Sequence, residues 1–184
     1  MPYSRTDRFD ALVAPHLRTL LRVAYRLVRN SADAQDLVQD TCMAACEHPA
    51  DIEAARHPVR WLLRVLHNRF IDRSRQRKRT MLVAIDQADA ETPLVCGKPG
   101  PEDAVLQTDA ERALVRAYLK LEDSQRTLLV LRAEGYGLEE IEAITGIHRQ
   151  VLRARLHRAR RSLARHLEEN DTAAPAALRI GSKP

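Results

Sequence analysis

Arg149, Arg153, Arg155, Arg158, Arg160, Arg161 and Arg165 fall in one stretch of chain that holds no acidic residue. Guanidinium groups at this density suit a polyanion, above all the phosphate backbone of a nucleic acid. A helix that merely carried solvated charge would mix in glutamates one turn apart as ion-pair partners, and this stretch has none. Directly before it, the run from Gly137 through Leu138-Glu-Glu-Ile-Glu-Ala-Ile-Thr145 to Gly146 reads as a short support helix closed by a glycine turn. Support helix, tight turn and basic rod together predict a helix-turn-helix whose second helix can enter a major groove about 12 Å wide. Arg149, Gln150 and Arg153, near the start of the rod, are the candidates for reaching base edges, because Arg and Gln can bond bidentately to guanine and adenine. Arg155 and Arg158 complete the candidate DNA-binding set. With Arg160 and Arg161 they cannot all face one groove, so this group is expected to divide between phosphates and acids of its own domain.

A second basic block runs from Asn68 to Arg79, with six basic residues and one acid. The two blocks carry +5 and +7, whereas the whole chain is only +5, so the remainder is acidic and the basicity is local. Two separate footprints fit that distribution better than a uniformly sticky surface. The second block ends a stretch whose apolar face is Trp61, Leu62, Val65, Leu66, Phe70 and Ile71. With the polar loop before Trp61, this region could hold duplex DNA while the loop captures an unstacked base. The competing reading is a basic helix end that suits its own dipole, with Trp61 in the core.

Upstream, Asp33, Asp36 and Asp40 form an acidic stripe beside Gln39. Leu37, Val38, Thr41, Cys42, Ala45 and Cys46 make the inward face of the same helix. Cys42, Cys46 and His48 raise the question of a metal, but no second ligand pair stands at a familiar spacing and small buried hydrophobes explain both thiols. No metal and no cofactor are expected. The chain also shows no Ser/His/Asp order and no phosphate-cradling glycine loop, which argues against an enzyme.

The elements that must position these residues are helical. Of the 184 residues 45% are hydrophobic but only 4% aromatic. Cores built from Leu, Val, Ile and Ala favour helices over sandwiches of strands. The expected fold class is all-α, with two small helical domains joined by a flexible linker and the helix-turn-helix in the second. No stretch reaches the roughly 20 apolar residues of a membrane span, and the N-terminus lacks an apolar signal core. No membrane insertion and a cytoplasmic location are therefore expected.

The first domain is placed at residues 1–85. It has a helix over 6–29, a second helix capped by Ser31, a polar loop over 47–57 and a third helix starting at Pro58. Residues 86–102, rich in Pro and Gly, are the linker. The second domain, residues 103–169, starts with a helix from about Pro101 to Leu121, with Val105, Leu106, Ala113, Leu114, Ala117 and Leu121 inward. Asp123 is expected to cap the next helix, which carries Leu128, Leu129 and Leu131. Ile141 and Ile144 face in from the support helix, and the basic rod spans about 147–168. A disordered tail over 170–184 follows. A linker of this composition permits both an extended and a closed arrangement of the domains.

Three motifs in this order resemble a known family. Ser31-Ala-Asp-Ala-Gln-Asp-Leu-Val-Gln-Asp-Thr41, then Trp61-Leu-Leu-Arg-Val-Leu-His-Asn-Arg-Phe-Ile-Asp72, then the segment from Gln125-Arg126 to Arg155-Leu-His-Arg-Ala-Arg160 are similar to segments of bacterial sigma factors. With two domains and a short linker, the chain resembles the extracytoplasmic-function group (group IV) of the sigma-seventy family over roughly residues 8–168. The resemblance implies an alternative sigma factor that binds RNA polymerase core and directs promoter recognition, DNA melting and transcription initiation. It implies that Asp33, Asp36, Leu37, Gln39 and Asp40 dock on the clamp helices of the beta-prime subunit of RNA polymerase core. It implies that His57, Arg60, Trp61 and Asn68 serve the melted minus-ten element of promoter DNA, with Arg73, Arg75, Arg77 and Lys78 gripping the duplex just upstream. The second domain would read the minus-thirty-five element. Unstacking a base costs a few kcal/mol, which pocket and polymerase contacts can offset without nucleotide hydrolysis. Members of the family are commonly held by an anti-sigma factor, so such a partner is implied too.

The chain departs from the family pattern in places. Cys42 and Cys46 stand where aromatics are frequent, Gln150-Val151-Leu152 where Gly-Thr-Val is usual, and Glu140-Ile141-Glu142 where Glu-Ile-Ala is usual. Leu121-Glu122-Asp123-Ser124 replaces the Leu-Pro before Gln-Arg. Two other readings stay open on the residues alone. One is a conventional helix-turn-helix regulator that does not act through core polymerase. The other is an interaction-only protein that occupies a regulator of sigma factors without starting transcription.

Overall fold

In a computed structural model of the chain, residues 10–87 and 108–172 are described, and every regular element among them is helical. Val13 begins a single 3-10 turn, Ala14–His16, and helix α1 follows as Leu17–Val28. The sequence pattern predicts one helix over 6–29. Pro15 has no N–H to continue an α-helical ladder, so the chain tightens into the 3-10 turn at this point, and residues 6–9 lie outside the described set. Leu20, Val23, Ala24 and Leu27 form the buried face of α1. Arg29 ends it in the left-handed region at φ 53°, its N–H donating to the Tyr25 carbonyl and its guanidinium lying 5.2 Å from the centre of the Tyr25 ring. A non-glycine residue pays about 1 kcal/mol for that conformation, partly returned by the ring contact.

Helix α2, Ser31–Glu47, is capped by Asn30 rather than by Ser31: the Asn30 side-chain oxygen accepts from the Asp33 N–H at 3.0 Å. The expected polar loop that follows contains a short helix α3, Pro49–Ala54, with proline at its first position and Ile52 buried. A single large apolar residue, Ile52, among six carries too weak a period to be seen in the sequence.

Helix α4, Pro58–Gln87, starts where Pro58 predicts. Its buried line is Leu62, Leu63, Leu66 and Phe70, with Trp61, Val65 and Ile71 at the margin. The helix continues through the basic block to Gln87, past the boundary placed at residue 85. The rest of the expected linker and the tail from residue 173 lie outside the described residues.

Helix α5, Asp109–Leu119, is fixed by a capping box in which Thr108 and Glu111 exchange hydrogen bonds. The sequence starts this helix near Pro101, but residues 101–107, with Val105 and Leu106, lie outside the described set. Ala117 and Leu121 are buried, whereas Leu114, expected inward, is 46% exposed. Helix α6 is Asp123–Ala133, helix α7 is Leu138–Thr145 and helix α8 is Arg149–Thr172. Glu122, not Asp123, occupies the cap position of α6, and its N–H donates to the Gln125 side chain. Gly146 closes α7 in the left-handed region at φ 71°, as its place after Thr145 predicts.

The domains close on each other. Helices α1 and α4 of the first pack against α6 and α7 of the second. One continuous apolar cluster runs from Val13, Leu20 and Leu66 to Leu131, Ile144 and Leu156. Of the two arrangements that the linker composition permits, this is the closed one.

Candidate nucleic-acid and polymerase interfaces

On α8 the buried residues Leu152, Leu156 and Ala159 recur at helical spacing and seat the rod on α6, α7 and α5. At about 100° per residue, Gln150, Ala154, His157 and Arg161 then point away from the domain, Arg153 and Arg160 flank one side, and Arg155 lies on the other. All the arginines of this face are exposed. Arg149 is also exposed but pairs with Glu139 of α7 at 2.7 Å, across the turn that Gly146 makes. Among the described residues Arg153, Arg155, Arg158, Arg160 and Arg161 make no ion pair, so the expected sharing with acids of their own domain is not seen there.

The second basic block is arranged differently, because its charges are met by acids. Arg73 donates to the Asp40 carboxylate at 2.6 Å and to the Asp36 backbone carbonyl at 3.2 Å, tying α4 to the acidic stripe of α2. Arg77 lies 3.7 Å from Asp33, and Arg75 lies 3.8 Å from Asp72 on its own helix. Lys78 reaches Asp123 of α6 at 3.0 Å. Arg60 reaches Glu140 of α7 at 2.9 Å. Glu140 also accepts from the Gly137 N–H, and that backbone hydrogen bond, with Arg60 beside it, holds its carboxyl below the ordinary range. His57 and Asn68 are exposed, and Trp61 is half-buried against the core. The predicted residues do not share one face of α4: Arg73 and Arg77 turn to the acids of α2, Asn68 and Arg75 are exposed, and in this closed form Arg60 and Lys78 are engaged by the other domain.

On α2, Asp36 and Gln39 are exposed, and Asp33 and Asp40 are half-buried beside their arginines. Leu37 is 1% exposed and belongs to the core beneath the stripe. Cys42 and Cys46 form no disulfide, and burial, then the neighbouring Cys46, pushes the Cys42 pKa up. A raised thiol pKa opposes thiolate formation and suits the hydrophobe reading. No group of three or more His, Cys, Asp or Glu side chains able to hold a metal occurs among the described residues, and no helix there is long and apolar enough to cross a membrane.

Sequence reasoning missed the centre of the domain contact. Asp123 accepts hydrogen bonds from Ser74 Oγ, from Lys78 Nζ and from the Arg126 guanidinium. Burial alone would raise its pKa, but the bonds from Ser74 and Lys78 and the Arg126 charge outweigh burial and hold the carboxyl below its ordinary value. Arg126 is itself buried. It donates to the Leu27 carbonyl at 3.1 Å and lies 5.2 Å from the centre of the Phe70 ring. At the other end of α6, Glu134, the residue just after it, binds Arg22 at 2.8 Å and Arg26 at 2.7 Å, both on α1. The one available signal was Leu121-Glu122-Asp123-Ser124 standing where the resembled family has Leu-Pro before Gln-Arg.

Two helical domains with a basic helix-turn-helix behind an acidic-and-basic helical unit define a DNA-binding transcription factor of the sigma type. The description "Sigma-70 region 2" matches residues 12–80, and "Sigma-70, region 4" matches residues 111–163. The chain is 28% identical to the ECF RNA polymerase sigma factor SigW of Bacillus subtilis (strain 168), covering 89% of this chain and 90% of that protein. It is 31% identical to the ECF RNA polymerase sigma factor SigL of Mycobacterium tuberculosis (strain H37Rv), covering 86% and 88%. Among solved structures it is similar to the sigma factor RpoE of Bartonella quintana, crystallised in complex with the anti-sigma factor NepR. That likeness has a TM-score of 0.64 and 27% identity, over 87% of this chain and 96% of the other. The chain belongs to the ECF sigma factors of the sigma-70 family. It is an alternative sigma factor directing promoter recognition, and the conventional-regulator reading is not favoured.

Proposed function

We propose that residues 1–85 form the unit that binds RNA polymerase core and the minus-ten element, that 86–102 link it to the unit at 103–169 reading the minus-thirty-five element, and that 170–184 are a tail. Asp36 and Gln39, flanked by Asp33 and Asp40 and backed by Leu37, dock on the clamp helices of the beta-prime subunit. His57, Arg60, Trp61 and Asn68 serve the unpaired base of the minus-ten element, while Arg73, Arg75, Arg77 and Lys78 hold the duplex beside it. Arg149, Gln150 and Arg153 face bases at minus thirty-five, and Arg155 and Arg158 face phosphates. The protein supplies contacts rather than covalent chemistry, so it is not an enzyme, takes no cofactor and acts in the cytoplasm. An anti-sigma factor is a further partner, as one is for the Bartonella quintana relative.

The observation that carries this reading is the row of exposed arginines on α8 without acid partners among the described residues, set against the exposed Asp36 on α2. The test is transcription in vitro with bacterial core polymerase on fragmented host DNA, comparing wild type with Asp36→Ala and Arg153→Ala. Discrete transcripts that need the protein and weaken in both variants support the assignment of the two faces. Undiminished transcripts in both variants would overturn it.

A further inference from the structure

The acids that meet the proposed minus-ten face come from two sources. Asp33 and Asp40 belong to the same domain as Arg77 and Arg73, so their pairing survives any movement between domains. Asp123 and Glu140 belong to the other domain, so their pairs with Lys78 and Arg60 exist only while the domains are closed. Asp123 is the more committed of these two acids: it is 9% exposed and accepts from both Ser74 and Lys78, which lie one turn apart on α4. On its own helix it is held by Arg126, which reaches across the contact to the Leu27 carbonyl. A carboxylate set on a serine hydroxyl and a lysine ammonium occupies the kind of site that a DNA phosphate would otherwise fill.

We infer that Asp123 is an intramolecular competitor of promoter DNA: in the free protein it latches α6 onto Ser74 and Lys78, and the domains must part before that face of α4 can engage a duplex. The latch rests on the sigma-factor reading of α4 for its consequence, but its existence is a property of the isolated chain. Apolar packing of α4 on α7 supports the closed form, and the buried charge cluster fixes its register. Because Lys78 is 66% exposed at its side chain, salt weakens its half of the latch, whereas the buried Arg126 half is screened little.

The test uses the full chain without polymerase. Small-angle X-ray scattering reads the separation of the domains, and titration with a fluorescein-labelled duplex of arbitrary sequence reads access to the basic face. Asp123→Asn keeps the shape and removes the charge; Ser74→Ala weakens the latch from the other domain. The wild type is expected to have a small radius of gyration at low salt that grows with salt, and both variants are expected to be expanded at low salt. Apparent duplex affinity of Asp123→Asn is expected to rise about five- to tenfold, since affinity scales with the open fraction. Should Asp123→Asn lose its helical circular dichroism, Ser74→Ala decides the matter through the radius alone. Folded variants that keep the wild-type radius, or a wild type already expanded at low salt, overturn the latch. Neither result touches the sigma assignment, which stands or falls on core-dependent transcription.

Discussion

The Arg126 guanidinium donates to the backbone carbonyl of Leu27, ninety-nine residues away along the chain. It joins the last turn of α1 to the first turn of α6, so one side chain satisfies an end-of-helix carbonyl in one domain and the Asp123 carboxylate in the other. Removing it leaves the buried Asp123 carboxylate with fewer cations and the Phe70 ring without its charged cover. Breaking a buried charge pair from one side costs about 3 kcal/mol. Arg126→Ala is therefore expected to lower the urea midpoint and to split a single unfolding transition into two, as the domains lose their coupling. A single transition at the wild-type midpoint would show that the apolar contact alone joins them.

His67 gives the protein an acid-sensitive term separate from that of Asp123. Burial lowers its pKa from 6.5 to about 4, and its Nδ1 has no hydrogen-bond partner among the described residues. In the unfolded chain the imidazole takes a proton near pH 6.5, whereas in the folded chain it stays neutral until about pH 4. Between those values the unfolded state binds more protons, so stability falls as pH drops through this window, by up to about 3 kcal/mol at its lower end. Asp123, with a lowered carboxyl pKa, loses its contribution only at lower pH still. Urea denaturation at pH 7 and pH 5 is expected to show a drop for the wild type that is much smaller in His67→Leu. Equal drops in the two proteins would refute the assignment to this residue.

Most of the helices were legible because their apolar residues repeat at helical spacing and their ends carry Pro, Asn or Gly in the expected places. Leu138–Thr145 with Gly146 after it is the clearest case, since both signals agree there. The misses share a cause, which is that tertiary partners decide them. Asp123 reads as a helix cap by its position, yet Ser74 and Lys78, distant in sequence, draw it into the domain contact while Glu122 takes the cap. Leu114 reads as inward by period, but the second domain closes over Ala117 and leaves it out. For the candidate interfaces, the residue types along α8 and α4 could be read from spacing. That Arg60 and Lys78 meet acids of the other domain could not, because the linker composition allows either arrangement of the domains.

Gly146 sets the angle at which the basic rod leaves its support helix. At φ 71° it occupies a region that costs a side-chain-bearing residue about 1 kcal/mol or more, and an added Cβ there meets nothing within 4 Å. The penalty of Gly146→Ala is thus purely conformational. A loss of about 1 kcal/mol in urea denaturation is expected, together with weaker promoter discrimination in core-dependent transcription, because the start of α8 with Gln150 is re-aimed. Unchanged stability would mean that the turn is free to adopt another conformation.

Asp36 and Asp40 lie one turn apart on α2, yet their environments assign them different work. The Asp40 carboxylate holds Arg73, while Asp36 contributes only its backbone carbonyl to that arginine and leaves its exposed carboxylate free of it. If the stripe docks on core polymerase, Asp36→Ala removes an interface contact without disturbing the fold. Core affinity, measured by fluorescence anisotropy of labelled protein, is expected to fall about tenfold with an unchanged urea midpoint. Asp40→Ala instead releases Arg73 from α2. Its expected signature is a slightly lower midpoint, within the ~1 kcal/mol typical of an exposed pair, and tighter binding to an arbitrary duplex as the freed guanidinium meets phosphate. Reversed signatures, with Asp36→Ala altering stability and Asp40→Ala altering only core affinity, would exchange the two roles and move the docking face one turn along the helix.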